Sequence, residues 1–229
     1  MWSEITGTPV FGISITLIAY VCSLFLHRRW PILHPLLLTS CVLIAFLLAT
    51  ETPYKHYSVG GDVLALFLGP ATIALGVPLY KYFQRFRKSS SAILISITIG
   101  SLTGLTVAGV SIWLLQGDHG LLASMMPKST TTPIAVEITR RLGGIPELAA
   151  VLAVLTGLLG SVCCPRFLRL AGIRKDLPLG IAMGTASHGI GTSRMIRESE
   201  YIGGASALAM ALTGIITSIL VIPLIWWFS

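Results

Sequence analysis

Apolar runs of about twenty residues follow one another along the chain, each closed by a short polar or basic stretch, as bilayer-crossing helices require. Pro9–Leu26 reads as the first span, with Pro9 suited to a helix start. His27, Arg28 and Arg29 read as a cytoplasmic loop, and Pro35–Thr50 as the second span. Glu51–Asp62 reads as a polar loop. Val63–Tyr80 is apolar but contains Gly69-Pro70 and Gly76-Val77-Pro78. Proline removes a backbone donor and clashes with the turn before it, so an interrupted helix is expected there. Lys81, Arg85, Arg87 and Lys88 form the strongest basic cluster. Ala92–Leu115 is a clean span whose Gly100, Ser101, Gly104 and Gly109 favour tight helix packing.

The second part of the chain is less regular. Gly117–Gly120 reads as a turn. Leu121–Leu142 starts apolar, becomes polar at Pro127-Lys-Ser-Thr-Thr-Thr-Pro133, and resumes through Glu137 to Arg141. Two half-helices joined by an extended polar linker are expected. Pro146–Cys163 is a further span, followed by a basic loop with Arg166, Arg169, Arg174 and Lys175. Leu179–Ile196 carries the glycine- and hydroxyl-rich stretch Gly184–Thr192. Tyr201–Phe228 is the last span, with Trp226 and Trp227 as interfacial anchors. The predicted fold is an all-α integral membrane protein with about seven or eight membrane segments, some interrupted or re-entrant.

A weak repeat relates residues 7–115 to 121–229 within one membrane domain. Gly69–Gly76 resembles Gly184–Gly191, and Leu-Thr-Gly follows at 102–104 and 212–214. Interrupted segments at corresponding places in two halves point to a transporter site. Orientation stays open in the second half. Arg140-Arg141 and the Arg166–Lys175 loop are one span apart, so Leu121–Leu142 either crosses or dips in and returns.

The chain has 229 residues, of which 54% are hydrophobic and 11% charged. A soluble domain carries about 25% charged residues. The net charge of +7 sits in short loops, where it sets topology rather than binding nucleic acid. Cys22, Cys41, Cys163 and Cys164 lie in or beside apolar runs, without zinc spacing, so no disulfide and no metal is expected. No cofactor is implied. Met1–Thr6 lacks a basic n-region, so the first helix is expected to be retained.

Two stretches carry candidate chemistry. Polar, glycine-broken backbone at membrane depth is tolerated only where it is buried in protein or lines a cavity. In Pro127–Pro133, Thr132 is a plausible N-cap with Pro133 at N1. Its free amides, the hydroxyls and Lys128 would suit a carboxylate; alternatively the hydroxyls satisfy backbone groups freed by the prolines. In Gly184–Thr192, His188 is either a proton switch or a neutral residue tying two backbones together. Gly184, Gly189 and Gly191 allow close backbone approach. Glu137 is either an ion-pair partner of Arg140 or Arg141, or a proton-coupling acid. Arg194 either faces an anion or pairs with Glu198 at i+4, the preferred reading. Ser187 and His188 are adjacent and make no hydrolytic triad, so no enzyme activity is expected.

Leu68–Tyr80, Pro127–Ala135 and Met183–Thr192, in this order, resemble the motifs of the LrgB/CidB family over nearly the whole chain. Gly76 stands where the family often has alanine, and Thr130 where valine is frequent, which sets Thr130 apart from the other linker hydroxyls. The resemblance implies antiholin- or holin-like modulation of murein hydrolase activity and lysis with a small LrgA/CidA-like partner. It also implies transport, since plastid relatives carry glycolate and glycerate and some bacterial relatives are linked to pyruvate uptake. The expectation is a proton-coupled carrier of small 2-oxo or 2-hydroxy monocarboxylates in the bacterial inner membrane. Lys128, Ser129, Thr131 and Thr132 would hold the carboxylate, and Ser187 and His188 would read the 2-position oxygen or the proton. Thr185 and Thr192 add substrate-side hydroxyls. Gly69, Pro70, Pro127, Pro133, Gly184, Gly189 and Gly191 would be hinges, and His188 and Glu137 the proton-coupling candidates. The expected partners are the lipid bilayer, the carboxylate, the small LrgA/CidA-like protein and further copies of the chain. The alternative is a holin-like oligomer acting through protein contacts, with the small residues as packing glue.

Overall fold

The structure, a computed structural model, describes residues 6–30, 35–74 and 76–228. Among these residues it is all helical. It divides into two units, residues 1–74 and 75–229. Four described helices are long and apolar enough to cross a bilayer. The chain is a multi-pass membrane protein.

In the first unit, α1 (Pro9–Arg29) packs on α2 (Pro35–Ala49) and on α3 (Tyr54–Ala65). Gly12 and Gly60 set the α1–α3 approach, because a Cβ on Gly12 would lie 2.9 Å from the Gly60 Cα. Thr16 Oγ1 and the Tyr57 hydroxyl then meet at 3.1 Å. Two sequence expectations fail here. His27–Arg29 are the last turn of α1, where basic groups face the helix C-terminal dipole, rather than a loop. The polar stretch after Glu51 is helix from Tyr54, since polar residues at period 3.6 suit a half-exposed helix. The expected interruption after Val63 is present: α3 stops at Ala65, and a short α4 (Leu68–Ala74) follows. Gly69 and Pro70 lie in α4 and are exposed.

The second unit starts with α5 (Gly76–Arg87), which carries the basic cluster, and α6 (Ser90–Leu114). Then come α7 (His119–Met125), a 3₁₀ turn (Met126–Ser129) and α8 (Thr132–Arg141). α9 (Pro146–Leu170) and α11 (Glu200–Phe228) are long, and α10 (Asp176–Glu198) lies between them. α9 runs past Cys163, so Arg166 and Arg169 are helical rather than loop residues. Trp226 is exposed near the end of α11; the Trp227 side chain lies outside the described residues.

The residues 119–141 dip in and return. His119 Nε2 meets the Leu142 carbonyl oxygen at 2.8 Å, the Ile145 amide donates to Ser124 Oγ at 2.8 Å, and Thr139 Oγ1 donates to the Ala123 carbonyl at 3.3 Å. Both ends of this hairpin therefore sit together. Gly143, at φ +73°, turns the chain out of α8, and the Gly144 amide closes that end on the Thr139 carbonyl at 2.9 Å.

α10, which holds the Gly184–Thr192 motif, also folds back. His188 has φ 38° and ψ −136°, which breaks the helix. Gly180 packs on Ile202 and Ser206 of α11, yet Thr192 Oγ1 meets Ser206 Oγ at 2.9 Å and Gly203 packs on Ile196. Residues 180 and 192–196 therefore face the same short stretch of α11, which a straight helix forbids: they would be about 20 Å apart. A Cβ on Gly191 would lie 3.3 Å from the Met183 carbonyl oxygen, as only a folded-back chain allows. The legs, 176–187 and 189–198, are about 15–18 Å long. Neither alone crosses the ~30 Å hydrocarbon layer.

These two hairpins divide the unit's core. One end buries Phe86, Ile93, Ile97, Ile181, Ala205 and Ala209, with Leu179, Met183, Met195 and Ile202 beside the second hairpin. The other buries Leu105, Ala123, Met126, Ile138, Leu142 and Val221 around the first hairpin. The first end also holds Arg85, Arg169 and a Lys81–Glu200 pair at 2.5 Å. Glu200 raises the pKa of the Lys81 ammonium, but the pair is exposed and adds little stability. By the positive-inside rule this basic end is expected on the cytoplasmic side. The first hairpin would then enter from the outer face and the second from the inner face. Arg140 and Arg141, at the outer end, are both paired with Glu137.

Candidate functional site

Each hairpin brings a polar tip to the middle of the bundle. At the first tip, Pro127 cannot continue α7 with a backbone donor. The chain tightens into the 3₁₀ turn and is extended only at Thr130 and Thr131, so the expected extended linker is mostly 3₁₀. Thr130 is buried, and its hydroxyl donates to the Pro127 carbonyl at 2.8 Å. That bond satisfies backbone and takes Thr130 out of any ligand-facing set. The N-cap of α8 is Thr131, one residue before the expected Thr132, with Pro133 in the first turn. Helix ends shift by a residue readily. Neither cap hydroxyl shows a bond to the helix start: Thr131 makes no side-chain capping bond, and Thr132 is half-buried.

Lys128 is half-buried, with Nζ 3.4 Å from the Gly104 carbonyl oxygen in the middle of α6. Ser129 faces the same glycine, its Oγ 3.5 Å from where a Gly104 Cβ would sit. One turn earlier, Gly100 receives Thr185, whose Cγ2 would be 3.0 Å from a Cβ there. Gly100 and Gly104 thus form the seat on α6 on which elements from both hairpins rest.

A cavity of about 520 Å³ starts at Ser89 and Leu177, near the basic end, and reaches Gly100, Ser129 and Thr185. Its walls are mostly apolar, with Ile93 and Ile181 among them, and Ser96 adds a hydroxyl on α6. Of the expected substrate residues, the structure brings Ser129 and Thr185 to this cavity. Lys128 does not line it; its ammonium lies at Gly104, one turn of α6 beyond Gly100.

The rest of Gly184–Thr192 faces other helices. His188 is buried, and its Nε2 meets the Ala153 carbonyl oxygen of α9 at 2.8 Å. Gly157 makes room for the ring, since a Cβ there would lie 2.7 Å from Cε1 and Nε2. Ser187 rests on Gly160, with the Cys164 thiol beside it. Thr192 donates to the His188 carbonyl at 2.8 Å and bonds Ser206. Gly184 packs on Ser206 and Ala209, Gly191 on Ser187 and Met183, and Gly189 is 3.7 Å from the Met210 sulfur by the same Cβ test. Glu137 is exposed and paired at i+3 and i+4.

Arg194 does not pair with Glu198, which bonds Arg169 instead. Its guanidinium donates to the Ser161 carbonyl. That carbonyl needs a donor from outside its helix, because the residue four positions on is Pro165.

The sequence reading met Ser101 only as a packing residue and Thr213 only in the repeat, not as candidate site residues. Their hydroxyls, with those of Thr185 and Ser187, are buried without a hydrogen-bond partner. A hydroxyl in mid-span was the available signal. A buried, unsatisfied hydroxyl costs about 1–3 kcal/mol.

Residues 16–228 match the model of the LrgB-like family. The chain belongs to that family. Both hairpins lie inside the LrgB-like match. The protein is 36% identical over 211 residues to "Uncharacterized protein YwbG" of Bacillus subtilis strain 168, covering 91% of this chain and 93% of that one. It is 32% identical over 222 residues to "Antiholin-like protein LrgB" of Bacillus mycoides strain KBAB4, with 96% of each chain covered. A protein of Haemophilus influenzae is 32% identical over 219 residues, 93% of this chain and 95% of that one. No solved structure matches. These three relatives are bacterial, and this chain is a multi-pass protein of the bacterial membrane.

Proposed function

We propose that this LrgB-like protein carries small monocarboxylates of the glycolate, glycerate or pyruvate type across the membrane, coupled to protons. The supporting observation is the cavity that leads from the basic end to Ser129, with Lys128 beside it. The cavity is roomy for a small acid, with mostly apolar walls and the Ser129 hydroxyl at its end, and the Lys128 cation lies at Gly104, one turn of α6 further on. A passive pore has no need of a half-buried lysine at a hairpin tip. Ser129 and Lys128 take the carboxylate in this reading, with Thr131 and Thr132 behind them. His188, whose Nε2–H donates to the α9 backbone, sits at the second tip and is the proton-coupling candidate there. Glu137, exposed and paired, is the weaker proton-coupling candidate.

The test is uptake of labelled glycolate, glycerate, pyruvate and acetate into proteoliposomes, with and without a pH gradient. Saturable uptake that one acid competes for and a gradient accelerates is the expected result. A size-unselective leak would sink the proposal. Lys128→Ala is expected to reduce uptake at least 100-fold with insertion intact, the loss of a charge-assisted contact of about 3 kcal/mol.

A second reading is favoured by the names of the antiholin-like relatives. Here the protein restrains autolysis as an oligomer, in contact with a small LrgA/CidA-like membrane protein. The two readings join if lysis responds to carboxylate flux or proton balance. Deleting the gene while supplying Lys128→Ala in trans separates them. Restored lysis control by a transport-dead protein would favour protein contacts.

A further inference from the structure

Three helices of the second unit run in the same direction through the core at the basic end: α6, the first leg of α10, and α11. They meet there through Ile97, Ile181 and Ala209, members of one buried cluster. One helical turn further toward mid-bundle, each presents a hydroxyl: Ser101, Thr185 and Thr213. All three hydroxyls are buried without a hydrogen-bond partner. Ser101 is 4% exposed and Thr213 1%. Thr185 also lines the end of the cavity, against Gly100, and Ser129 lies across the same end. Threonine and serine in helices usually bond the carbonyl one turn back, as Thr98, Thr103 and Thr106 of α6 do. The three hydroxyls at this level do not. They are polar groups at one height; Thr185 and Ser129 line the same cavity end, and Lys128 lies one turn of α6 further on, at Gly104.

We infer that Ser101, Thr185 and Thr213 form a second polar subsite, which reads the oxygen on the 2-position of a small carboxylate held at the first hairpin tip. This deepens the proposed function and rests on it. A hydroxyl or oxo group on the carbon next to the carboxylate is what such a rack distinguishes from a bare methyl. A site built to bond a ligand hydroxyl rejects the analogue lacking it, because its own polar groups are then left unpaired. Of the three, Thr185 lines the cavity, whereas Ser101 and Thr213 are buried off it.

The experiment measures binding of glycolate and of acetate, which differ only in the 2-hydroxyl, to the purified full chain by calorimetry. Wild type is expected to prefer glycolate about tenfold or more, the effect of one or two net hydrogen bonds. In Ser101→Ala and in Thr213→Val the preference is expected to fall toward one. Thr213→Ser, which keeps the hydroxyl, is expected to retain it. Neither Ala nor Val variant is expected to be less heat-stable without ligand, since each removes an unsatisfied buried group. Equal binding of both acids by wild type would overturn the subsite, as would an unchanged preference in folded variants or no binding of either acid. Selective binding without uptake in proteoliposomes would leave the subsite standing and overturn the transport reading.

Discussion

Pro165 and Arg194 show how a single residue can be fixed by a bond that another cannot make. Proline at 165 leaves the Ser161 carbonyl without its helical donor, and the Arg194 guanidinium takes the position. Arg194→Ala should therefore destabilise the protein by about 1 kcal/mol, in the range of interhelical polar bonds in membranes. In a Pro165→Ala background the backbone amide returns, and the same substitution should cost less than half as much. Thermal unfolding of the four proteins checks the cycle; equal costs in both backgrounds would disprove the link. Gly157 behaves similarly toward His188. A methyl there would sit 2.7 Å from the imidazole, so Gly157→Ala should cost about 1–3 kcal/mol and free the ring from Ala153. The Glu137 pairing was legible in the sequence because it is local, at i+3 and i+4. The partner of Arg194 was not, because it comes from a carbonyl 33 residues away.

At the scale of elements, the two hairpins decide the topology. For residues 119–141 the sequence offered a dip as one of two readings, since the polar linker interrupts the apolar run and either Arg140-Arg141 or the Arg166–Lys175 stretch must lie outside. For residues 176–198 it did not, because two half-length legs add up to the length of one crossing helix. Only the cluster of glycines and hydroxyls at its centre hinted at a break, and it marked the place, not the direction the chain takes after it. Cysteine labelling distinguishes the two geometries in a background without the native thiols. Cysteines at Arg174 and Ser199 should react from the same face of the membrane, and cysteines at Gly117 and Gly143 from the opposite one. Labelling of Arg174→Cys and Ser199→Cys from different faces would mean that α10 crosses.

Across the second unit as a whole, charge and geometry agree. Basic groups gather at the end where the second hairpin enters, and the acidic Glu198 and Glu200 are tied to Arg169 and Lys81 there. The other end has Arg140 and Arg141, both offset by Glu137. α11 starts at the basic end and is long enough to cross, so a reporter enzyme fused after Phe228 should be active outside the cytoplasm. An inactive periplasmic reporter with a fluorescent cytoplasmic one would invert the whole assignment. The membrane class and the crossing helices were readable from hydropathy alone. The mid-bundle polar layer was only half readable, because Ser101 and Thr213 sit in otherwise ordinary apolar helices.

The cavity has an electrical consequence. Water that follows it from the basic end to Ser129 carries the cytoplasmic potential to the middle of the membrane. The insulating layer then thins to the outer half, and the membrane voltage falls mainly across the first hairpin. Moving one elementary charge through the full voltage takes about 2.3 kcal/mol per 100 mV. A carboxylate anion would meet nearly all of that between the outer face and Lys128, and almost none on its way onward to the cytoplasm. In the proposed transport cycle the voltage sensitivity should therefore reside in the outer step, and vanish from the inner one.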